Sequence, residues 1–277
     1  MKTFSLRWII AVLLTTGFAV SGCARRQEPN RKKQSQRRAV RSFAKSTKSE
    51  SAKSASGSKT SKKDTEKKPL TAIELRKALK IDSSKGFFET KNGVIVTAIL
   101  EETDVRDLSP LKDLSSLKEL RLNFTTVSDI SPLADMPIEK LSLEGTPVSD
   151  ISPVKKMPLN TLWLNRTKVK DLSVLKGKTL ESLDISRTEI SDLTPLAEMK
   201  SLKRLNLSRS KVTDLTPLKD LQLQRLIFNP HKITKGLDVV RNMKSIQFLH
   251  VEFPASGQFI PAARFWQLYD TGQLPKE

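Results

Sequence analysis

The feature that most constrains this chain is a period. Written under each other from Leu117, the segments LKELRLNFTTVSDISPLADM, IEKLSLEGTPVSDISPVKKM, LNTLWLNRTKVKDLSVLKG, LESLDISRTEISDLTPLAEM and LKRLNLSRSKVTDLTPLKDL align without gaps inside the motif. One column falls at Thr103, Thr125, Thr146, Thr167, Thr188, Ser210 and His231, with spacings of 22, 21, 21, 21, 22 and 21 residues. A unit this short cannot bury its own apolar face. Units of equal length must therefore stack and share one continuous core, which excludes most compact globular topologies.

Each position in the unit has a physical role. The L-x-L pair (Leu120/Leu122, Leu141/Leu143, Leu162/Leu164, Leu183/Ile185, Leu205/Leu207) alternates with period two and reads as a short strand with inward leucines. The Thr turns the chain, its hydroxyl bonding nearby backbone. Val or Ile buries again two residues later. The Asp column (Asp107, Asp129, Asp150, Asp171, Asp192, Asp214) forms a local side-chain turn. The following Ser/Thr-Pro pair reads as a helix N-cap with Pro at the first helical position. Seven strands at about 4.8 Å give a parallel ribbon about 30 Å long. The expected fold class is α/β.

The repeat resembles the leucine-rich repeats of the internalin-like class, with Thr where many members have Asn. The resemblance covers residues 94–250 and implies a solenoid with a parallel β-sheet on the concave face and short helical turns on the convex face. Residues 71–93 and 251–277 are then the caps. In the first, Thr71-Ala-Ile-Glu74 is a capping-box pattern, Ile73, Leu75, Leu79 and Ile81 suit a short amphipathic helix, and Asn92-Gly93 signals a hairpin. In the second, the rhythm decays, with Lys235 replacing Asp and Gly236-Leu237 replacing the Ser-Pro pair. The stretch from Ile233 to Gly272 resembles a terminal block in a large bacterial group of leucine-rich-repeat proteins. Some of that group carry kinase-like domains, but this chain has no Gly-rich loop, H-R-D or D-F-G, so no kinase activity is carried over.

No catalytic constellation is present: neither G-x-S-x-G, nor H-E-x-x-H, nor a phosphate loop. Two histidines and one cysteine leave little for a metal centre. His231 sits in the Thr column and reads as structural, and the Asp column reads as turn-capping rather than as a metal ladder. The expectation is a non-enzyme without cofactor or metal. Residues between the inward leucines face the concave side. One column runs Arg121, Ser142, Trp163, Asp184, Asn206, Ile227, and the next runs Asn123, Glu144, Asn165, Ser186, Ser208, Asn229. A third runs Phe124, Gly145, Arg166, Arg187, Arg209, Pro230, flanked by Lys140, Arg204 and Arg225. Trp and Arg are enriched in binding hot spots, so Arg121, Phe124, Trp163, Arg166, Arg187, Arg204 and Arg209 are the candidate binding residues, suited to an acidic protein segment or anionic glycan. The competing reading is solvated charge on a sheet face.

The formal charge of +19 resides mainly outside the repeats. Residues 24–70 hold 16 Lys/Arg against 4 Asp/Glu, whereas residues 71–277 hold 31 against 26. Residues 24–70 contain almost no large apolar side chains and read as a disordered basic tether. Its roles range from solvated spacer to electrostatic contact with anionic lipid or cell-wall polymer, worth about 1 kcal/mol per basic residue near such a surface. Nucleic acid is disfavoured, because no aromatics are interleaved for stacking. Ahead of it, Lys2 and Arg7 precede an uncharged run from Trp8 to Val20. That run spans about 20 Å, too short for a ~30 Å hydrocarbon core, so residues 1–22 read as an export signal. Val20-Ser-Gly-Cys23 resembles the lipobox of bacterial lipoproteins, which implies that Cys23 is diacylated and becomes the mature N-terminus. Ala24 in place of Asp favours the outer over the inner membrane. Two functions follow: a membrane-tethered module that binds a protein at the bacterial cell envelope, or a structural envelope protein whose tether holds membrane to polymer.

Overall fold

A computed structural model describes residues 70–276. The export signal, the lipobox Cys23 and nearly all of the basic tether lie outside the described residues.

The described chain opens with α1 (Ala72–Ala78), started by the capping box expected from Thr71 and Glu74: Glu74 N donates to Thr71 Oγ1 at 3.3 Å and Thr71 N to Glu74 Oε2 at 2.8 Å. Leu75, Leu79 and Ile81 bury against the first repeat. Ile73 does not: it is 79% exposed, because so short a helix presents only one stripe to the repeats and Leu75 takes it. The strands β1 (Phe87–Lys91) and β2 (Val94–Ile99) form the antiparallel hairpin signalled by Asn92-Gly93. Both turn residues have positive φ, 52° and 79°, as the two-residue turn requires.

From β2 the sheet is parallel. The strands β3 (Glu119–Arg121), β4 (Lys140–Ser142), β5 (Thr161–Trp163), β6 (Ser182–Asp184), β7 (Arg204–Asn206), β8 (Arg225–Ile227) and β9 (Phe248–His250) follow in sequence order. β9 then pairs antiparallel with β10 (Ile260–Pro261). The register matches repeat to repeat, with Leu120, Leu141, Leu162, Leu183, Leu205, Leu226 and Leu249 directly paired. These leucines form one buried column, and Leu122, Leu143, Leu164, Ile185 and Leu207 form a second.

The turns follow the repeat chemistry. Thr125, Thr146, Thr167 and Thr188 each donate a hydroxyl to the carbonyl three residues back, at 2.6–2.7 Å. Ser210 does the same to Leu207. His231 departs from its column: its ring is exposed and lies 5.2 Å from Tyr269, while Asn229 and Pro230 start a 3-10 turn there. On the convex side each repeat makes a 3-10 turn rather than an α-helix, at Ser109–Leu111, Ser131–Leu133, Ser152–Lys156, Ser173–Leu175, Thr194–Leu196 and Thr216–Leu218. The Ser or Thr is not the N-cap. It is the first residue of the turn, its amide donates to the Asp two residues earlier at 2.7–2.8 Å, and Pro comes second in every turn but Ser173–Leu175, which has Val174. Because the Asp satisfies that amide, the residue between them (Leu108, Ile130, Ile151, Leu172, Leu193, Leu215) is free to bury.

Past Gly236 the repeat gives way to α2 (Leu237–Arg241), and α3 (Ala262–Asp270) closes the array. Phe265 stacks on Phe228 at 5.8 Å and seals the last apolar layer. Among the described residues no helix is long and apolar enough to cross a membrane.

The concave sheet face as a candidate binding site

The register sets three residue columns on the sheet face and its rim. Arg121 is half-buried. It holds Glu119 through Nε at 2.7 Å and its guanidinium lies 6.0 Å from the centre of the Trp163 ring, at the edge of cation–π range. Lys140 completes this cluster, 3.5 Å from Glu119.

The second column is a polar ladder. Asn123 Nδ2 donates to Glu101 at 2.9 Å, and Asn123 Oδ1 accepts from Ser142 Oγ and from Glu144 N. Asn206 Nδ2 donates to Asp184 at 2.9 Å, and the Ser186 amide and hydroxyl also donate to Asp184. Ser208 repeats that geometry on Asn206. Burial raises the carboxyl pKa of Glu101, of Glu144 and of Asp184 above their ordinary values, partly offset by Arg121 and Asn123 at Glu101, by Asn165 at Glu144, and by Ser186 and Asn206 at Asp184. Glu101 was not among the sequence candidates. Extending the register one repeat toward the N-terminus, opposite Asn123, would have found it.

The third column leaves the sheet plane. Phe124, Arg166, Arg187 and Arg209 have φ of 56°, 59°, 57° and 55°, in the left-handed region, and Gly145 has 66°. The backbone is locked there: Phe124, Gly145, Arg166 and Arg187 amides donate to carbonyls of the next repeat at 2.7–3.0 Å. These side chains therefore stand at the rim where strand turns into loop. Phe124 is 49% exposed, and its ring lies over Gly145, where a Cβ would approach it to 2.6 Å. The aromatic itself thus removes a side chain from the column.

The three arginines are not equivalent. Arg209 pairs with Glu252, and Arg187 approaches the same Oε1 at 4.0 Å. Arg166 extends to solvent, with Glu144 contributing to its electrostatic surroundings. Arg204 is exposed beside Arg225, whose guanidinium stacks over Phe259 at 4.5 Å. A pure arginine stripe thus gives way to a rim whose far half is covered by the segment following β9. Glu252 and Phe259 were missed because the repeat was followed only to residue 250. Leu249-His250-Val251 is a further L-x-L pair, and continuing the register places Glu252 opposite Asn229.

Among the described residues no group of three or more His, Cys, Asp or Glu side chains could hold a metal. Nothing in the face joins a nucleophile to a base.

The architecture is a leucine-rich-repeat solenoid. In agreement, the family model for leucine-rich repeats (2 copies) matches residues 178–220. Among solved structures, an internalin (InlF) from Listeria monocytogenes superposes with a TM-score of 0.53 at 25% identity, over 63% of this chain and 53% of that one. Internalin C2 from the same organism matches with a TM-score of 0.49 at 20% identity, over 63% of this chain and 89% of its own. This chain therefore spans about half the length of the first of these. No curated protein matches the sequence significantly.

Proposed function

We propose that the concave face and its left-handed rim bind a protein partner at the bacterial cell envelope. One observation carries this reading. Phe124, Arg166, Arg187 and Arg209 occupy φ values of 55–59°, where a residue with a Cβ costs about 1–2 kcal/mol and glycine costs none. The amide bonds to the next repeat fix this conformation, at Glu102 (φ 55°) as well. On the rim it holds one aromatic and three guanidinium groups along a single edge beside Trp163. The pairing of Arg209 and Arg187 with Glu252 shows that a carboxylate fits this rim, which suits an acidic partner segment.

The test is a photo-crosslinking side chain installed in the full chain at Phe124, compared with one at Lys219 on a convex turn. The expected result is a discrete protein adduct from position 124 only, reduced at least tenfold by Arg166→Glu combined with Trp163→Ala. Equal crosslinking from both positions, or indifference to the double substitution, makes the rim ordinary solvated surface.

The same reading places the chain on a membrane through a diacylated Cys23, in the outer rather than the inner membrane. The support is the lipobox-like Val20-Ser-Gly-Cys23 after an apolar run, with Ala24 following. The basic tether then spaces the repeats from the bilayer and adds contact with anionic lipid or envelope polymer. Intact-mass analysis of protein from its native membrane is expected to show a chain starting at an acylated Cys23. An unmodified Cys23 inside a longer chain refutes the anchor.

A further inference from the structure

The convex face carries one break inside its run of 3-10 turns, and a cleft lies beside it. Each convex turn ends with a buried apolar residue whose amide donates to the carbonyl three residues back. Leu114, Met136, Met157, Met199 and Leu221 fill this position, with N–O distances of 2.9–3.1 Å. In the fourth full repeat the same backbone bond, at 3.0 Å to Leu175, belongs to Lys178. That repeat also lacks the proline of its neighbours, having Val174. A lysine head cannot enter the apolar layer uncompensated. Lys178 instead turns its Nζ to two carbonyls of the preceding turn, Lys155 O at 2.7 Å and Met157 O at 2.8 Å. A half-open cleft of about 670 Å³ lies between this turn and the one before it.

The lining has a consistent chemistry. Lys155, Lys176 and Lys178 converge on it, no carboxylate lines it, and Met157 and Val174 form apolar walls. Two of the three Nζ donors of Lys178 are used on carbonyls, which leaves one. Burial lowers the Lys178 pKa, so an arriving anion relieves a cost already present. Ammonium groups act as compact point charges with rotatable donors, and lysine is a regular binder of phosphate oxygens. We propose that this convex cleft is a binding site for a phosphate-bearing ligand with a small organic part, independent of the concave face.

The experiment uses the full chain and reads the amide resonances of Gly177 and Thr179, so that phosphate held by the basic tether is not counted. The probe is glycerol 1-phosphate, with phosphatidylglycerol vesicles as a second arm. In the wild type these two resonances are expected to shift saturably. Saturation by the soluble probe assigns a free phosphomonoester, and shifts with vesicles alone assign a lipid headgroup. Lys178→Met restores the repeat, so it is expected to raise Tm while weakening binding at least tenfold. Lys155→Gln with Lys176→Gln touches no core residue and is expected to weaken binding with Tm unchanged. The proposal is overturned if Gly177 and Thr179 do not respond to either probe, or respond equally in Lys178→Met. It is overturned as well if Lys178→Met lowers Tm, because Lys178 is then a structural cap and the cleft merely its by-product.

Discussion

Thr146 tests what holds the repeat turn together. Its side chain is buried, and its Oγ1 donates to Leu143 O at 2.7 Å. Thr146→Val keeps the shape and removes the donor. Loss of the bond costs about 1 kcal/mol, with Leu143 O retaining the Thr146 amide at 3.1 Å. A second cost follows from the distance. A methyl carbon needs roughly 3.3 Å from a carbonyl oxygen, so it overlaps at the hydroxyl's 2.7 Å, and easing such overpacking costs about 1 kcal/mol or more. The sum is about 2 kcal/mol, or a Tm lowered by about 4–8 °C for a folded unit of this size. Thr146→Ser keeps the bond and gives up one methyl, about 1 kcal/mol. The serine that occupies the same column at Ser210, with its bond to Leu207 intact, supports that tolerance. Urea denaturation followed by far-ultraviolet circular dichroism measures both variants. The order wild type, Ser, Val is expected, with unchanged m-values. If Val equals or exceeds Ser in stability, the column is set by packing, and the hydroxyl has no role in the turn.

Leu164 lies in the second buried column at 0% exposure, so Leu164→Ala is expected to cost about 2–5 kcal/mol by the same denaturation assay. A loss under about 1 kcal/mol would mean that neighbouring repeats collapse into the gap. Glu144→Gln addresses the polar ladder. Burial raises the Glu144 pKa, so its ionised form penalises the fold, and that penalty fades as pH falls through the raised value. The Gln variant is expected to be the more stable protein at pH 7.5 and to lose that advantage in acid. An advantage independent of pH would show that the carboxylate is not the cause. The convex Asp107, Asp171 and Asp214 carry the opposite sign, since hydrogen bonds from the following Ser or Thr lower their pKa values. Their contribution is present at neutral pH and is lost as pH falls through those lowered values, so Asp171→Ala should flatten the acid side of the stability profile.

Much of the architecture was legible in the chain because its causes recur within one repeat. The inward leucines, the Thr hydroxyl reaching three residues back and the Asp holding an amide two residues ahead are all local. Each needs only the spacing, and six or seven copies make the spacing unmistakable. The capping box at Thr71 and the hairpin at Asn92-Gly93 are local for the same reason. The break at Lys178 falls just past the aligned segment that ends at Gly177, in a column otherwise filled by Leu and Met. That its Nζ folds back beside a cleft depended on two carbonyls of the preceding turn. The rim was less legible. The left-handed backbone of Arg166 and Arg187 follows from amide bonds to the next repeat, since neither residue type selects it. The ion pair of Glu252 with Arg209 joins residues two repeats apart, and the stacking of Phe259 on Arg225 comes through a loop that has no repeat to fix its path. Periodicity therefore determined the scaffold and the order of its columns. Only the closing of the last turns upon one another decided which charges remain open to a partner, because a charge's availability depends on what folds over it.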